Sequence, residues 1–279
     1  MHMNKVKREL DASSIRAIAI DMDGTTLRHD TSLPEANRAA LASCLDKGLA
    51  VIIATGRSPQ ASEKYRDAIG ASGPMVFYNG AAVIDAPSGK LLASTLLAGD
   101  IVSRAVSIAR FLDVHIHAFL PDDRLVFEKR RADSDYYEDR TGLRGEIVDM
   151  QALFTARSQG VIKAMFIAEP PLLDKIQKEM DGHFGSRIYM ARSHATFLEV
   201  MAAGVSKGQA LGVALALRGI KAEQTIAFGD AENDLPLLEA AGYAVAVANA
   251  VPSVLSYADA LTLTNEENGV AEFLKKYLL

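Results

Sequence analysis

Two aspartates, Asp21 and Asp23, stand two positions apart at the end of an apolar run and are followed by Gly24, Thr25 and Thr26. On a continuing strand their side chains would point to opposite sides, but Gly24 lets the chain turn sharply, so both can face one site. One carboxylate can then attack an electrophile while the other handles protons. For a bare Asp-x-Asp-Gly the plain alternative is an Asp-Gly turn with solvated acids, against which the strand in front and the threonines behind both weigh. Thr55-Gly56-Arg57 closes a second apolar run, where a hydroxyl and the N–H groups of the following turn can hold anionic oxygens. Ser58 and Pro59 read as N-cap and first helical residue, which aims a helix N-terminus at the same place. A hydroxyl that merely opens a helix explains Thr55 equally well in isolation. Lys207 falls in the first turn of an expected helix, where a cation opposes the helix dipole unless an anion lies opposite; a surface lysine is the plainer reading.

These residues need a scaffold that brings strand ends together. Short apolar runs ending abruptly in polar residues recur at 15–20, 49–54, 75–78, 225–228 and 244–247, with a helix expected over 34–47. Buried parallel strands have this form, and ligands bind beyond their carboxyl ends. The spacing therefore predicts an α/β, Rossmann-like parallel-sheet core formed by residues 1–84 and 196–279. Residues 85–195 read differently. Helices near 100–112, 133–141 and 171–182 and strands near 114–119, 125–129, 161–168 and 188–191 predict an inserted α+β domain, an antiparallel sheet with helices on one face.

With these segments in place, the chain resembles the haloacid dehalogenase (HAD) superfamily. Asp21-Met22-Asp23-Gly24-Thr25 matches its first motif, Thr55 its second, Ser206-Lys207-Gly208 its third, and Gly229-Asp230-Ala231-Glu232-Asn233-Asp234 its fourth. The second aspartate implies phosphoryl transfer rather than dehalogenation. Placing the insertion after Asn79-Gly80-Ala81 and before Lys207 resembles the Cof-type branch, whose α/β cap covers the site. The likeness spans nearly the whole chain, including Asn268-Gly269-Val270. It departs at Leu237 (usually Met), at Ala202-Ala203 (usually a Pro-containing stretch) and at Ala248 before Asn249 (usually Gly), which bears on substrate detail.

The resemblance implies a phosphatase that hydrolyses small phosphate monoesters through an aspartyl-phosphate on Asp21, with Asp23 as acid and base. Phosphate or substrate contacts fall to Thr55, Gly56, Arg57, Asn79, Lys207 and Asn233. Metal ligation falls to Asp21, Asp23 (through its carbonyl), Asp230 and Asp234, the last with Asn233 close or one shell out. Four carboxylates crowded around a phosphate dianion oppose joint ionisation, and a hard cation with oxygen ligands, Mg²⁺, resolves this. Proton transfer by Asp23 is expected to supply roughly 10²- to 10⁴-fold.

Composition sets outer bounds. The 279 residues are 49% hydrophobic, enough for a substantial core, and carry a net charge of −5 with no basic stripe, so nucleic acid is a poor partner. A small-molecule phosphate ester is the expected partner. The charged start, residues 1–10, lacks the apolar stretch of a signal peptide, and no run reaches membrane-spanning length; the expected setting is cytoplasmic. The single Cys44 reads as a small buried apolar side chain. His115 and His117 share one face of a strand and could line a substrate pocket, but without a third ligand they make no metal site. Arg130-Arg131 with Asp133, Asp135, Glu138 and Asp139 read as a solvated face. Sugar phosphates, flavin mononucleotide and pyridoxal phosphate all fit, and the sequence names neither substrate nor oligomeric state. A phosphomutase on the same scaffold and a non-catalytic phosphate-ester binding module are the competing readings.

Overall fold

A four-residue strand of alternating small and large side chains, β1 (Ala17–Ile20), lies at the heart of the first of two structural units. In the computed structural model, which describes residues 8–156 and 160–279, β1 pairs in parallel with β2 (Ala50–Ile53) on one side and β12 (Thr225–Gly229) on the other. Strands β13 (Tyr243–Ala246) and β14 (Ala260–Leu261) extend the sheet, giving the order β14-β13-β12-β1-β2, parallel throughout. The first seven residues of the charged N-terminal segment lie outside the described residues.

The alternation along β1 explains both faces of the sheet. Ala17 and Ala19 share a buried cluster with Ala210, Leu211, Ala214 and Leu215 of α7 (Lys207–Arg218) and with Leu237 and Leu238 of α8 (Leu235–Ala240). Small residues there let the helices approach closely. On β12, Ala227 joins this cluster, while Phe228 meets Phe273 of α10 (Gly269–Tyr277) edge-on, with ring centroids 5.4 Å apart. Helix α10 packs beside α1 (Glu35–Asp46), which follows β1. α2 (Pro59–Ile69) follows β2 and is capped by Ser58, whose hydroxyl accepts from Ala61 N–H, with Pro59 at its first position as expected. The third apolar run becomes β3 (Gly73–Phe77), which meets the parallel sheet at a bridge between Ala54 and Val76. It instead forms a three-stranded sheet with β4 (Ala82–Ala86) and β5 (Leu91–Ser94), which places these residues in the first unit.

The first unit comprises the chain up to Ala93 and from Ser206 to Leu279, and the second runs from Ser94 to Val205, later at both ends than the expected 85–195. At its start, pairing of β5 into the β3-β4-β5 sheet keeps residues up to Ala93 with the first unit. At its end, β11 (Phe197–Ala202) is antiparallel to β10 (Ile188–His194) and to β9 (Lys163–Ile167). The remaining strands, β6 (His115–Phe119), β7 (Leu125–Phe127) and β8 (Gly145–Ile147), complete the order β10-β11-β9-β6-β7-β8. Every pairing is antiparallel except β7 with β8.

One face of this sheet contributes Ile116, Ala118, Ala164, Phe166, Leu198 and Val200 to a cluster with α3 (Gly99–Leu112), α5 (Met150–Ala156) and α6 (Pro170–Phe184). The expectation of helices on one face needs correction for α4 (Ala132–Thr141). Its Tyr137 packs at a tilt against His117 of the opposite face, with ring centroids 4.4 Å apart. The charged run around α4 is likewise not wholly solvated. Glu138 is buried, and it accepts from Gly145 N–H at 2.7 Å and from Arg130 at 2.9 Å. Among the described residues no helix is long and apolar enough to cross a membrane.

Candidate active site

The parallel register sets Ile20 opposite both Ile53 and Phe228, so β1, β2 and β12 end within one residue of one another. The residues that follow these strands, Asp21, Thr55 and Asp230, therefore emerge along one edge of the sheet. Three carboxylates meet there: one oxygen from each of Asp21, Asp230 and Asp234 lies within 4.8 Å of the others. Between them sits a buried cation. Lys207, the first residue of α7, donates from Nζ to Asp21 Oδ1 and to Asp234 Oδ1, each at 2.6 Å. Its N-cap Ser206 accepts from Gln209 N–H, which fixes the turn carrying the lysine. A cation in the first helical turn opposes the helix dipole, and these two anions offset that cost.

The electrostatics follow from burial. Desolvation pushes the Asp21 carboxyl well above the ordinary carboxylate range, the Asp234 charge adds to this, and Lys207 opposes it. Asp230 is pushed up to about 6, chiefly by burial, although a hydrogen bond from Thr25 favours its ionised form. Burial alone would lower the Lys207 ammonium, but Asp21 and Asp234 outweigh it and hold the group firmly protonated.

The loop after β1 is braced by the two threonines behind it and by three asparagines whose bracing role the sequence did not show. Thr25 Oγ1 donates to Asp230 Oδ1 at 2.6 Å, and Thr26 Oγ1 donates to the Asp21 carbonyl at 2.6 Å. Asn37, Asn249 and Asn265 donate to the carbonyls of Thr26, Gly24 and Leu27. Asn37 left a readable signal: it lies on the buried face of α1 in register with Ala40, Leu41 and Cys44, an amide where an apolar residue belongs. Gly24 has φ +81°, and a Cβ there would come within 2.5 Å of Asp230 Oδ2, so the turn demands glycine for conformation and for space.

The remaining expected residues fall into two pairs. Asp23 is bound by Arg57, with Nε to Oδ2 at 2.7 Å and Nη2 to Oδ1 at 2.6 Å. Asn79, at φ +57°, accepts at Oδ1 from Asn233 Nδ2 at 3.1 Å, and its N–H donates to the Thr55 carbonyl. Gly56 passes close over the Asn79 amide, and Thr55 is buried with its Oγ1 accepting from Arg57 N–H at 3.1 Å. His115 and His117, by contrast, belong to the second unit; they are buried and hydrogen-bonded to each other at 3.0 Å. Cys44 is buried, as expected.

The donor chemistry fits a hard divalent cation. Oxygen ligands converge, and two of the three carboxyls are raised by burial and mutual repulsion, the situation that such a cation relieves. Asp234 is the most heavily engaged of the three, with Oδ1 on Lys207 and Oδ2 accepting from the N–H groups of Asp230 and Ala231 at 3.0 Å each.

Comparison with known proteins gives the family. The family model of haloacid dehalogenase-like hydrolases matches residues 18–274. The 5-amino-6-(5-phospho-D-ribitylamino)uracil phosphatase YitU of Bacillus subtilis is 31% identical, over 93% of this chain and 96% of its own length. The HMP-PP phosphatase of Serratia proteamaculans is 28% identical, over 94% and 95%. A haloacid dehalogenase-like hydrolase from Bacteroides thetaiotaomicron superposes with a TM-score of 0.84 at 26% identity, over 94% of this chain and 99% of that one. A parallel sheet with acidic strand ends, a buried lysine among them and a family match over nearly the full length lead to one conclusion: the chain belongs to the haloacid dehalogenase-like hydrolases, as a phosphatase of that superfamily.

Proposed function

We propose that this protein is a Mg²⁺-dependent phosphatase of small phosphate monoesters, working through an aspartyl-phosphate on Asp21. The observation that carries the reading is the Lys207 ammonium held 2.6 Å from both Asp21 and Asp234, with Asp230 completing the trio of carboxylates. Side-chain oxygens of Asp21 and Asp230, with the Asp23 carbonyl, would hold the cation, and Asp234 secures Lys207 and the loop beside them. Bound Mg²⁺ supplies charge neutralisation at the phosphoryl oxygens.

An Asp21 oxygen attacks phosphorus in line, and the bond from phosphorus to the ester oxygen breaks. Lys207 balances charge on the transferring group, and the Thr55 hydroxyl and the turn around Gly56 donate to its oxygens. Asp23 gives its proton to the departing alcohol oxygen, then takes one from the water that cleaves the acyl phosphate, returning Asp21 and releasing inorganic phosphate. Asn79 and Asn233 hold the loops beside the phosphoryl site in place.

The substrate class proposed is sugar phosphates, flavin mononucleotide, pyridoxal phosphate and related phosphometabolites, among which the phosphoribityl compound named for the Bacillus relative is a natural candidate. A cytoplasmic setting accords with a single cysteine that is buried and unpaired. The test is a Mg²⁺-supplemented screen of such esters with the wild-type protein, Asp21→Asn and Asp23→Asn. The expected result is turnover by the wild type, background rates for Asp21→Asn, and a hydroxylamine-sensitive phosphoprotein in Asp23→Asn. Unimpaired turnover by Asp21→Asn would overturn the reading.

A further inference from the structure

Asp23 does not share the environment of the other acids. Its carboxylate is gripped by the guanidinium of Arg57 through two parallel bonds of 2.7 and 2.6 Å, although the Asp23 side chain is 53% exposed. Exposed ion pairs are ordinarily weak, because two flexible side chains must be held while water screens them. This one differs in how its basic partner is built. The Arg57 side chain is only 22% exposed, and its guanidinium carbon stands 5.3 Å from the centre of the Tyr65 ring. Tyr65 is itself buried and donates its hydroxyl to the Thr31 carbonyl at 2.8 Å. The Arg57 backbone is fixed on both sides, with its N–H on Thr55 Oγ1 and its carbonyl accepting from Tyr78 N–H, each at 3.1 Å. The fork is therefore anchored to β2, α2 and the segment after β3, and Asp23, on a loop, is the partner whose direction is decided.

We propose that Arg57 is a positioning residue for Asp23: its planar fork selects the rotamer from which the acid–base carboxyl reaches the ester oxygen and the attacking water. The proposal rests on the phosphatase reading above. A carboxylate with both oxygens on one guanidinium keeps a lone pair free on each, on which the proton taken from the attacking water sits before it passes to the next ester oxygen, and rotation about Cα–Cβ away from the fork is restricted. Without the fork, a half-exposed aspartate distributes over its staggered rotamers, and proton transfer loses its alignment. Lysine cannot replace this function, since a point charge fixes neither the plane nor the direction of a carboxylate.

The test separates action through Asp23 from contact with substrate. For glycerol 2-phosphate, whose alkoxide needs a proton to leave, Arg57→Ala is expected to lower kcat about 10- to 100-fold with KM nearly unchanged. Single-turnover release of p-nitrophenol from p-nitrophenyl phosphate, a leaving group that needs no proton, falls far less. In an Asp23→Asn background, Arg57→Ala adds no further loss, and Arg57→Lys recovers little of the alkyl-ester rate. Equal losses for the two esters, an effect mainly on KM, or an Arg57→Ala loss that persists undiminished beside Asp23→Asn would each overturn the proposal. A readout independent of turnover is the carboxyl carbon resonance of Asp23, assigned by its disappearance in Asp23→Asn. It moves in Arg57→Ala if the pair exists in solution, and an unmoved resonance overturns the proposal. If the wild type hydrolysed no ester, the functional reading would fall, while this resonance would still judge the pair.

Discussion

Among the described residues Lys207 is the one basic group hydrogen-bonded to the three carboxylates of the site, and it touches the two buried ones. Removing one partner of a buried ionic cluster leaves the others without compensation, which costs roughly 3 to 5 kcal/mol. Lys207→Met, similar in length and apolar, is therefore expected to lower the urea-unfolding free energy by about that amount and to abolish turnover. A variant as stable as the wild type would mean that Asp21 and Asp234 do not depend on this cation. At this scale the sequence was informative about residue types, since Asp21, Thr55 and Asp230 each follow an apolar run and Lys207 opens a helix. It was silent about partners. Nothing in the spacing indicates that Arg57 turns to Asp23, or that Asn79 meets Asn233 154 positions away, because such choices depend on side-chain distances that only the folded chain defines.

The elements deliver these side chains by register. Close approach between the segment after β3 and the start of α7 is part of that delivery. Gly80 has φ +101°, and a Cβ there would fall 2.1 Å from the Ser206 carbonyl oxygen, next to Lys207. Gly80→Ala is expected to destabilise the fold by about 1 to 3 kcal/mol from backbone strain and, by displacing the first turn of α7, to lower kcat more than the loss of folded protein explains. Thermal unfolding and kcat measured on the same preparation check this; a stability loss with kcat intact would place Lys207 beyond reach of that displacement. The strands of the parallel sheet were readable because both of their faces are buried, which leaves continuous apolar runs. The second unit was harder for a physical reason. β11 carries Glu199 in its middle, and this charge is buried against Lys163 of β9 at 2.9 Å, so a core strand looks like a polar boundary. α4 went to the unexpected face because its Tyr137 and the histidines of β6 form an aromatic, polar-tipped layer rather than an aliphatic one.

Across the whole molecule, that layer makes stability depend on acidity. His115 is lowered to about 4 by burial, with Arg131 adding to the effect, and His117 is lowered well below its ordinary value by burial, His115 and Lys163. Each outer ring nitrogen, His115 Nδ1 and His117 Nε2, lacks a hydrogen-bond partner among the described residues. A group harder to protonate when folded than when unfolded contributes its full stability above the unfolded value, near 6.5, and loses it as pH falls toward the folded value. Between pH 6.5 and 4 the wild type is thus expected to lose stability faster than a His115→Gln/His117→Gln variant, by up to roughly 1.4 kcal/mol per pH unit for each histidine. Parallel urea titrations across that window decide the matter, and identical slopes would place both rings in contact with water.

The bond from Lys207 to Asp21 spans 186 positions, with the entire second unit lying between them in sequence. On a ribosome, Asp21 and its loop appear early, while the ammonium bonded to it is added only after residues 94–205 have been polymerised. A chain ending before position 207 thus carries Asp21 without the ammonium bonded to it and without Asp230 and Asp234, so the carboxylate–lysine cluster cannot assemble until residue 234 has been added.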